Sequence, residues 1–178
     1  MLSQNFNRQL AIGRVGESAI ARWLMMRGWS VLPVYEIEIP TGKGPRLFAP
    51  NGRQWAAPDM LVYKANNTMW IEAKNKSAFS RHRITGRWVT GIDMRHYDHY
   101  CAIEDASPWP VWLMFLQHGG QAKDSPAASP SGLFGNELKI LRQSENHRHG
   151  NWGSGGMVYW GVQSLRHLAD LQSLGIED

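Results

Sequence analysis

Two short runs of apolar, β-branched and aromatic residues, Pro58–Tyr63 and Met69–Lys74, flank the polar break Ala65-Asn66-Asn67-Thr68. Runs of this kind around a turn-like break read as neighbouring antiparallel strands. With those four residues as the loop, Lys64 faces Met69, Leu61 faces Glu72 and Asp59 faces Lys74. Strand side chains alternate between faces, so Asp59, Glu72 and Lys74 emerge on one side. Met60, Val62, Ile71 and Ala73 make the other side apolar, which places the hairpin in a core sheet. Asp59 and Glu72 become diagonal neighbours, with Cβ atoms roughly 7–8 Å apart. Two carboxylates at that spacing can share a divalent cation, with an ammonium beside it. Glu-x-Lys on a strand is also an everyday pattern for a solvated face. Here Pro58-Asp59 lies where the strand begins, at a rim a ligand can approach.

At 178 residues the chain is long enough for one domain with a real core. No apolar run is long enough to span a bilayer. No charged-then-apolar leader opens it, so a cytoplasmic setting is expected. The single cysteine, Cys101, makes no internal disulfide and excludes a cysteine-based zinc cage. Net charge is +4, and its distribution is informative. Lys74, Lys76, Arg81, Arg83, Arg87 and Arg95 cluster within one stretch that holds a single acid, Asp93. From His96 onward the acids outnumber the bases, nine to five. Basic charge therefore sits beside the carboxylates, as a phosphodiester-binding surface requires.

Ile12, Gly16, Ala19, Ile20, Trp23 and Leu24 recur at helical spacing, giving a helix from about Leu10 to Arg27 that Gly28 stops. Gly13 and Gly16 each weaken it by about 1 kcal/mol relative to Ala, which close approach to a sheet would explain. Glu17 borders the apolar face. Trp29–Ile39 reads as a strand, and Pro40–Trp55 as a Gly/Pro-rich loop carrying Lys43, Arg46 and Arg53. Ser77–Trp88 is a basic connector whose Thr85-Gly86-Arg87 binds phosphate or merely turns the chain. Asp93–Ile103 is a second helix with Asp93 at its N-cap. Val111–Leu116 is a central strand buried on both faces. Gln121–Gly132 and His147–Gly156 read as loops, Met157–Gly161 as a strand, and Gln163–Leu174 as a closing helix.

Pro58-Asp59 and Glu72-Ala73-Lys74 resemble the motif of the PD-(D/E)xK nuclease superfamily. The likeness extends upstream through Gly13–Leu24 and Arg27–Leu32, which look like the opening of its resolvase-type and restriction-type members. It covers Leu10 to Gln117. The resemblance implies an α/β fold: a three-layer sandwich with a central mixed β-sheet in αβββαβ order, restriction endonuclease-like. The order read from pattern alone agrees. It implies a single nuclease domain over 1–178, with a core at about 10–117 and a strand-helix extension at about 157–174. It also implies that Asp59, Glu72 and the backbone carbonyl of Ala73 bind Mg²⁺ or Mn²⁺, that Glu17 joins the metal site directly or through water, and that Lys74 orients the attacking water or offsets the developing negative charge.

The resulting expectation is a divalent-metal-dependent DNA endonuclease in recombination, repair or mobile-element DNA processing, with Glu17, Asp59, Glu72 and Lys74 catalytic. Lys76, Arg81, Arg83 and Arg87 would bind nucleic acid. Branched DNA is the leading substrate, and a homodimer would cut two strands. The alternatives are a catalytically silent DNA- or protein-binding module on the same fold, and an RNA-processing nuclease. His96 and His99 lack an acidic third ligand for a metal site. His96 and Tyr100 either contact DNA or pack on the sheet. His147-Arg148-His149 reads as solvated loop. No Gly-x-Ser-x-Gly elbow and no Walker-type loop is present.

Overall fold

The computed structural model describes residues 4–34, 44–50, 52–121, 127–150 and 155–176, with side chains from Arg14 onward. The first helix, α1 (Gln4–Met26), buries Ala19, Ile20, Trp23 and Leu24. It ends in a Schellman turn: the Trp29 N–H donates to Leu24 O (3.1 Å) and the Gly28 N–H to Met25 O (2.9 Å), with Gly28 at φ +79°.

A six-stranded sheet forms the middle of the molecule. Its spatial order is β1 (Ser30–Pro33), β4 (Met60–Lys64), β5 (Asn67–Lys76), β8 (Val111–His118), β9 (Ser131–Glu137) and β12 (Arg166–Ala169). Only β5 and β8 run parallel. The connection between them carries α2 (Met94–Ala106), as a parallel pair requires a crossover. The α1 face packs on Met60, Val62, Ile71, Ala73, Met114 and Leu116, closed off by Leu171 and Leu174 of a short 3₁₀ turn. The other face packs Trp70, Val111, Leu113 and Phe115 against Tyr97, Tyr100 and Ile103 of α2. Val111–Leu116 is thus buried on both faces, as its unbroken apolar run predicts. The fold is α/β with a central mixed sheet, its first six core elements in αβββαβ order.

Beside α2 lies a second, four-stranded sheet in the order β10 (Glu145–His149), β11 (Met157–Gly161), β7 (Trp88–Asp93), β6 (Ser80–Arg81). It buries Ile92, Val158 and Trp160 toward the core. A small ribbon pairs β2 (Arg46–Phe48) with β3 (Gln54–Ala56). A single helical turn, α3 (Leu138–Leu141), follows β9. No helix among the described residues is long and apolar enough to cross a membrane.

Several expectations are corrected. The closing helix over Gln163–Leu174 is a strand between two 3₁₀ turns (Val162–Ser164 and Leu171–Leu174), because backbone pairing of β12 with β9 overrides the helical spacing of its apolar residues. His147–His149 is the end of β10 rather than loop, and Ser131 and Gly132 open β9. The basic connector Ser77–Trp88 contains β6 and begins β7, and the loop Pro40–Trp55 contains β2 and the start of β3. Asp93 is at the N-cap of α2 but its side chain makes no cap hydrogen bond. The strand expected over Trp29–Ile39 is β1; its tail from Tyr35, and Lys43 in the following loop, lie outside the described residues.

Candidate active site

The hairpin carrying the acids is tighter than expected. Its turn is Ala65-Asn66, with Ala65 in the left-handed region (φ +51°), and Lys64 pairs with Asn67 instead of Met69. Leu61 consequently faces Trp70, not Glu72. The register is displaced by two residues, an even number, so every side chain keeps its expected face. Continuing the Met60–Ile71 pairing by one step sets Asp59 opposite Glu72, closer than the diagonal relation expected.

Strand β4 begins at Met60, and just before it the Asp59 carboxylate, not the backbone, meets β5. Asp59 Oδ2 accepts the Ala73 N–H at 2.8 Å. Glu72 and Lys74 point to the same face of β5, and the Lys74 ammonium donates to Glu72 Oε1. Glu72 is 1% exposed, and its second oxygen, Oε2, is buried without a hydrogen-bond partner. Glu17 enters from α1. Its approach depends on Gly16, where a Cβ would stand 2.6 Å from Asn75 Cβ and 2.9 Å from Asn75 Cγ of β5. This is the close helix–sheet approach that the glycine implied.

The electrostatics bind these groups together. Burial, then the charge of Glu72 and that of Glu17, hold the Asp59 carboxyl well above its ordinary range; Lys74 and the Ala73 N–H pull the other way. Burial works against the Lys74 ammonium, yet Glu72, Asp59 and Glu17 together raise its pKa above the usual lysine value. Asp59, Glu72 and Lys74 thus share one face of the sheet, and Glu17, carried by α1, acts on Asp59 and Lys74 through its charge.

Helix α2 roofs the cluster. Tyr100, 2% exposed, lies beside Glu72, and burial and the charges of Glu72 and Asp59 push its pKa well up. Of the two readings of this residue, DNA contact or packing on the sheet, the core position of Tyr100 is the packing one. The His96 ring lies 6.0 Å from that of Tyr100, and burial and Lys74 lower its pKa against the pull of Glu72 and Asp93. His99 is committed elsewhere, its Nδ1 accepting the Ala56 N–H at 3.1 Å. Lys76 belongs to the site: burial and Lys74 lower its pKa, while Asp93 opposes them.

Arg81, Arg83 and Arg87 stand apart, exposed at the tip of the β6–β7 hairpin. Thr85-Gly86-Arg87 turns the chain there: the Gly86 N–H donates to His82 O at 2.8 Å and the His82 N–H to Arg87 O at 2.9 Å.

The donor set suits a hard divalent cation. It offers an orphaned buried carboxylate oxygen on Glu72 and a second carboxylate, Asp59, whose pKa is raised by burial and by the charge of the first. Among the described residues no three His, Cys, Asp or Glu side chains converge as a ready cage.

No family model matches the chain, and no curated protein matches it either. Solved structures do. One is Hjc of Archaeoglobus fulgidus, a Holliday junction resolvase from an archaeal hyperthermophile: TM-score 0.49, 8% identity, covering 85% of this chain and 90% of that one. Another is D212, a nuclease from a fusselovirus: TM-score 0.40, 10% identity, covering 98% of this chain and 91% of that one. At such distances no activity carries across. The arrangement of this chain's own residues has to bear the functional reading.

Proposed function

We propose that the protein is a divalent-metal-dependent endonuclease that hydrolyses phosphodiester bonds in DNA, acting in recombination, repair or processing of mobile-element DNA. The observation that carries this is the buried, unpartnered Oε2 of Glu72 beside Asp59 and Lys74. A buried carboxylate oxygen left without a partner is costly, and a cation at that point relieves both the desolvation and the Asp59–Glu72 repulsion.

Asp59, Glu72 and the carbonyl of Ala73 would hold Mg²⁺ or Mn²⁺. When bound, the cation supplies an acidified water and neutralises charge on the scissile phosphate. Lys74 then stays cationic and donates a hydrogen bond to the attacking water or to the phosphate oxygen on which charge develops. Glu17, at the edge of the cluster, orients the water shell. Tyr100 fixes the Glu72 rotamer through its hydroxyl. Lys76 and the exposed Arg81, Arg83 and Arg87 bind the phosphate backbone on either side of the cut. Cutting both strands of branched DNA calls for a homodimer with two sites, which sedimentation would detect. A reducing cytoplasm fits the lone Cys101, whose thiol burial pushes up to about 11.

A second reading, DNA or protein binding without cleavage, draws on one feature: the Lys74 ammonium already occupies the other oxygen of Glu72. A substrate panel separates the two. Supercoiled plasmid, four-way junction, linear duplex, single strands and RNA are each incubated with Mg²⁺, Mn²⁺ or EDTA. Metal-dependent cleavage, fastest on the junction, is expected. Tight binding with no cleavage in either metal selects the second reading, and cleavage of RNA alone replaces DNA with RNA.

A further inference from the structure

The second sheet carries a feature that the proposed hydrolysis does not use. On its outer face the Tyr159 ring lies across Gly91 of the neighbouring strand, where an added Cβ would meet Tyr159 Cδ1 at 2.8 Å. His147, paired with Tyr159 across β10 and β11, stacks on it with centroids 4.5 Å apart and planes 4° from parallel. His82, from the β6–β7 hairpin, stacks on His147 in turn, at 4.5 Å and 27°. Three flat rings from three separate segments thus form a column, and all three are half-buried instead of sealed in the core.

Two surroundings say what would cover the end of that column. The hairpin that contributes His82 also carries exposed Arg81, Arg83 and Arg87, a charge pattern complementary to a phosphate backbone. At the other end, Asp93 pairs with Met157, which puts it on the Tyr159 face of the second sheet, two residues along β7 from Gly91, and it leads directly into α2, which carries His96 and Tyr100 of the candidate active site. Burial, together with His82 and His149, keeps the His147 imidazole readily neutral, as close stacking with a second imidazole requires.

We infer that the His82–His147–Tyr159 column is a stacking platform for an unpaired nucleobase of the DNA strand held at the carboxylate site. The inference rests on the nuclease reading and narrows its substrate class to DNA with a splayed or single-stranded segment beside the cut. Bases inside a duplex are stacked on each other and present no free face, whereas an unpaired base stacks readily on an aromatic side chain without regard to sequence. The arginines of the hairpin hold the phosphates flanking that base.

The test uses duplexes bearing a single-stranded tail, with 2-aminopurine placed at successive unpaired positions, titrated with the full chain in EDTA. A blunt duplex of the same sequence is the reference. Fluorescence at one tail position should fall severalfold on binding to the wild type. His82→Ala should abolish that quench and weaken tailed DNA by on the order of tenfold, leaving the blunt duplex bound as before. His82→Phe, which restores a flat ring, should restore both. Unquenched probe at every tail position, with tailed and blunt DNA bound equally, overturns the inference while leaving the nuclease reading in place. So does a quench that His82→Ala leaves intact. Absence of any DNA binding, blunt or tailed, removes both.

Discussion

The Ala73 backbone N–H donates to Asp59 Oδ2 at 2.8 Å, so a side chain extends the pairing one step before the first residue of β4. The same bond fixes Asp59 across from Glu72, where their charges oppose each other. An asparagine at 59 keeps an oxygen for the Ala73 N–H and removes the repulsion. Without metal and at neutral pH, Asp59→Asn should therefore melt at a higher temperature than the wild type, while losing cleavage.

The pH dependence follows from the same pair. Asp59 holds its proton to higher pH in the folded state than the ordinary value of 3.8. The folded protein binds more protons across that interval, so this group's contribution to stability is greatest at low pH and is lost as pH rises from 3.8 through the raised folded value. Thermal melts across the acid range should show the gap between Asp59→Asn and wild type closing as pH falls. Saturating Mn²⁺ should stabilise the wild type at neutral pH and leave Asp59→Asn nearly unchanged.

Gly16→Ala tests whether α1 must lie against β5 to deliver Glu17. The added methyl meets Asn75 Cβ, which is anchored to the strand and cannot swing aside. The overpacking cost of about 1–3 kcal/mol exceeds the gain of about 1 kcal/mol in helix propensity. Urea unfolding should show a net loss, and cleavage should fall with it as Glu17 is pushed outward.

Much of this site is legible in the sequence because face, unlike register, survives an even slip. A four-residue loop misplaces Leu61 opposite Glu72, yet the two-residue correction leaves Asp59, Glu72 and Lys74 on one side. Glycine 16 likewise announces its contact. The second sheet is hidden for physical reasons. Its β6 has two residues, β7 carries Gly91 in mid-strand where the Tyr159 ring needs the space, and β10 presents His147 and Arg148 as a polar edge strand. In the last segment Leu165 and Ala169 are four apart, as in a helix, but Leu165 precedes the strand, Ala169 ends it, and pairing with β9 decides the matter. Tyr100 is visible as a helix residue, while its meeting with Glu72 depends on how α2 crosses the sheet.

Tyr100→Phe should isolate the role of that hydroxyl. Tyr100 is buried beside Glu72, so the ring still fills its place in the variant and only the hydroxyl goes. Loss of a group that orients a metal-binding carboxylate costs about 10–100-fold in metal affinity or rate. The concentration of Mn²⁺ giving half-maximal cleavage should rise in that proportion, with DNA affinity in EDTA unaltered.

Replacing Arg81, Arg83 and Arg87 together by Ala should act on binding alone. Each phosphate contact contributes about 0.9 to the slope of log affinity against log salt on duplex DNA. The triple variant should flatten that slope by up to roughly 2.7 and bind less tightly at low salt, while a melt shows no change, since all three side chains are exposed.

Nicking of supercoiled plasmid by wild-type protein and by Glu72→Gln, each in Mg²⁺ and in EDTA, tests most directly whether the buried carboxylate pair is a metal-dependent hydrolytic centre. The wild type should nick in Mg²⁺ and not in EDTA, and Glu72→Gln, folded by circular dichroism, should nick in neither. Equal nicking by wild type and Glu72→Gln, or by wild type with and without Mg²⁺, would contradict it.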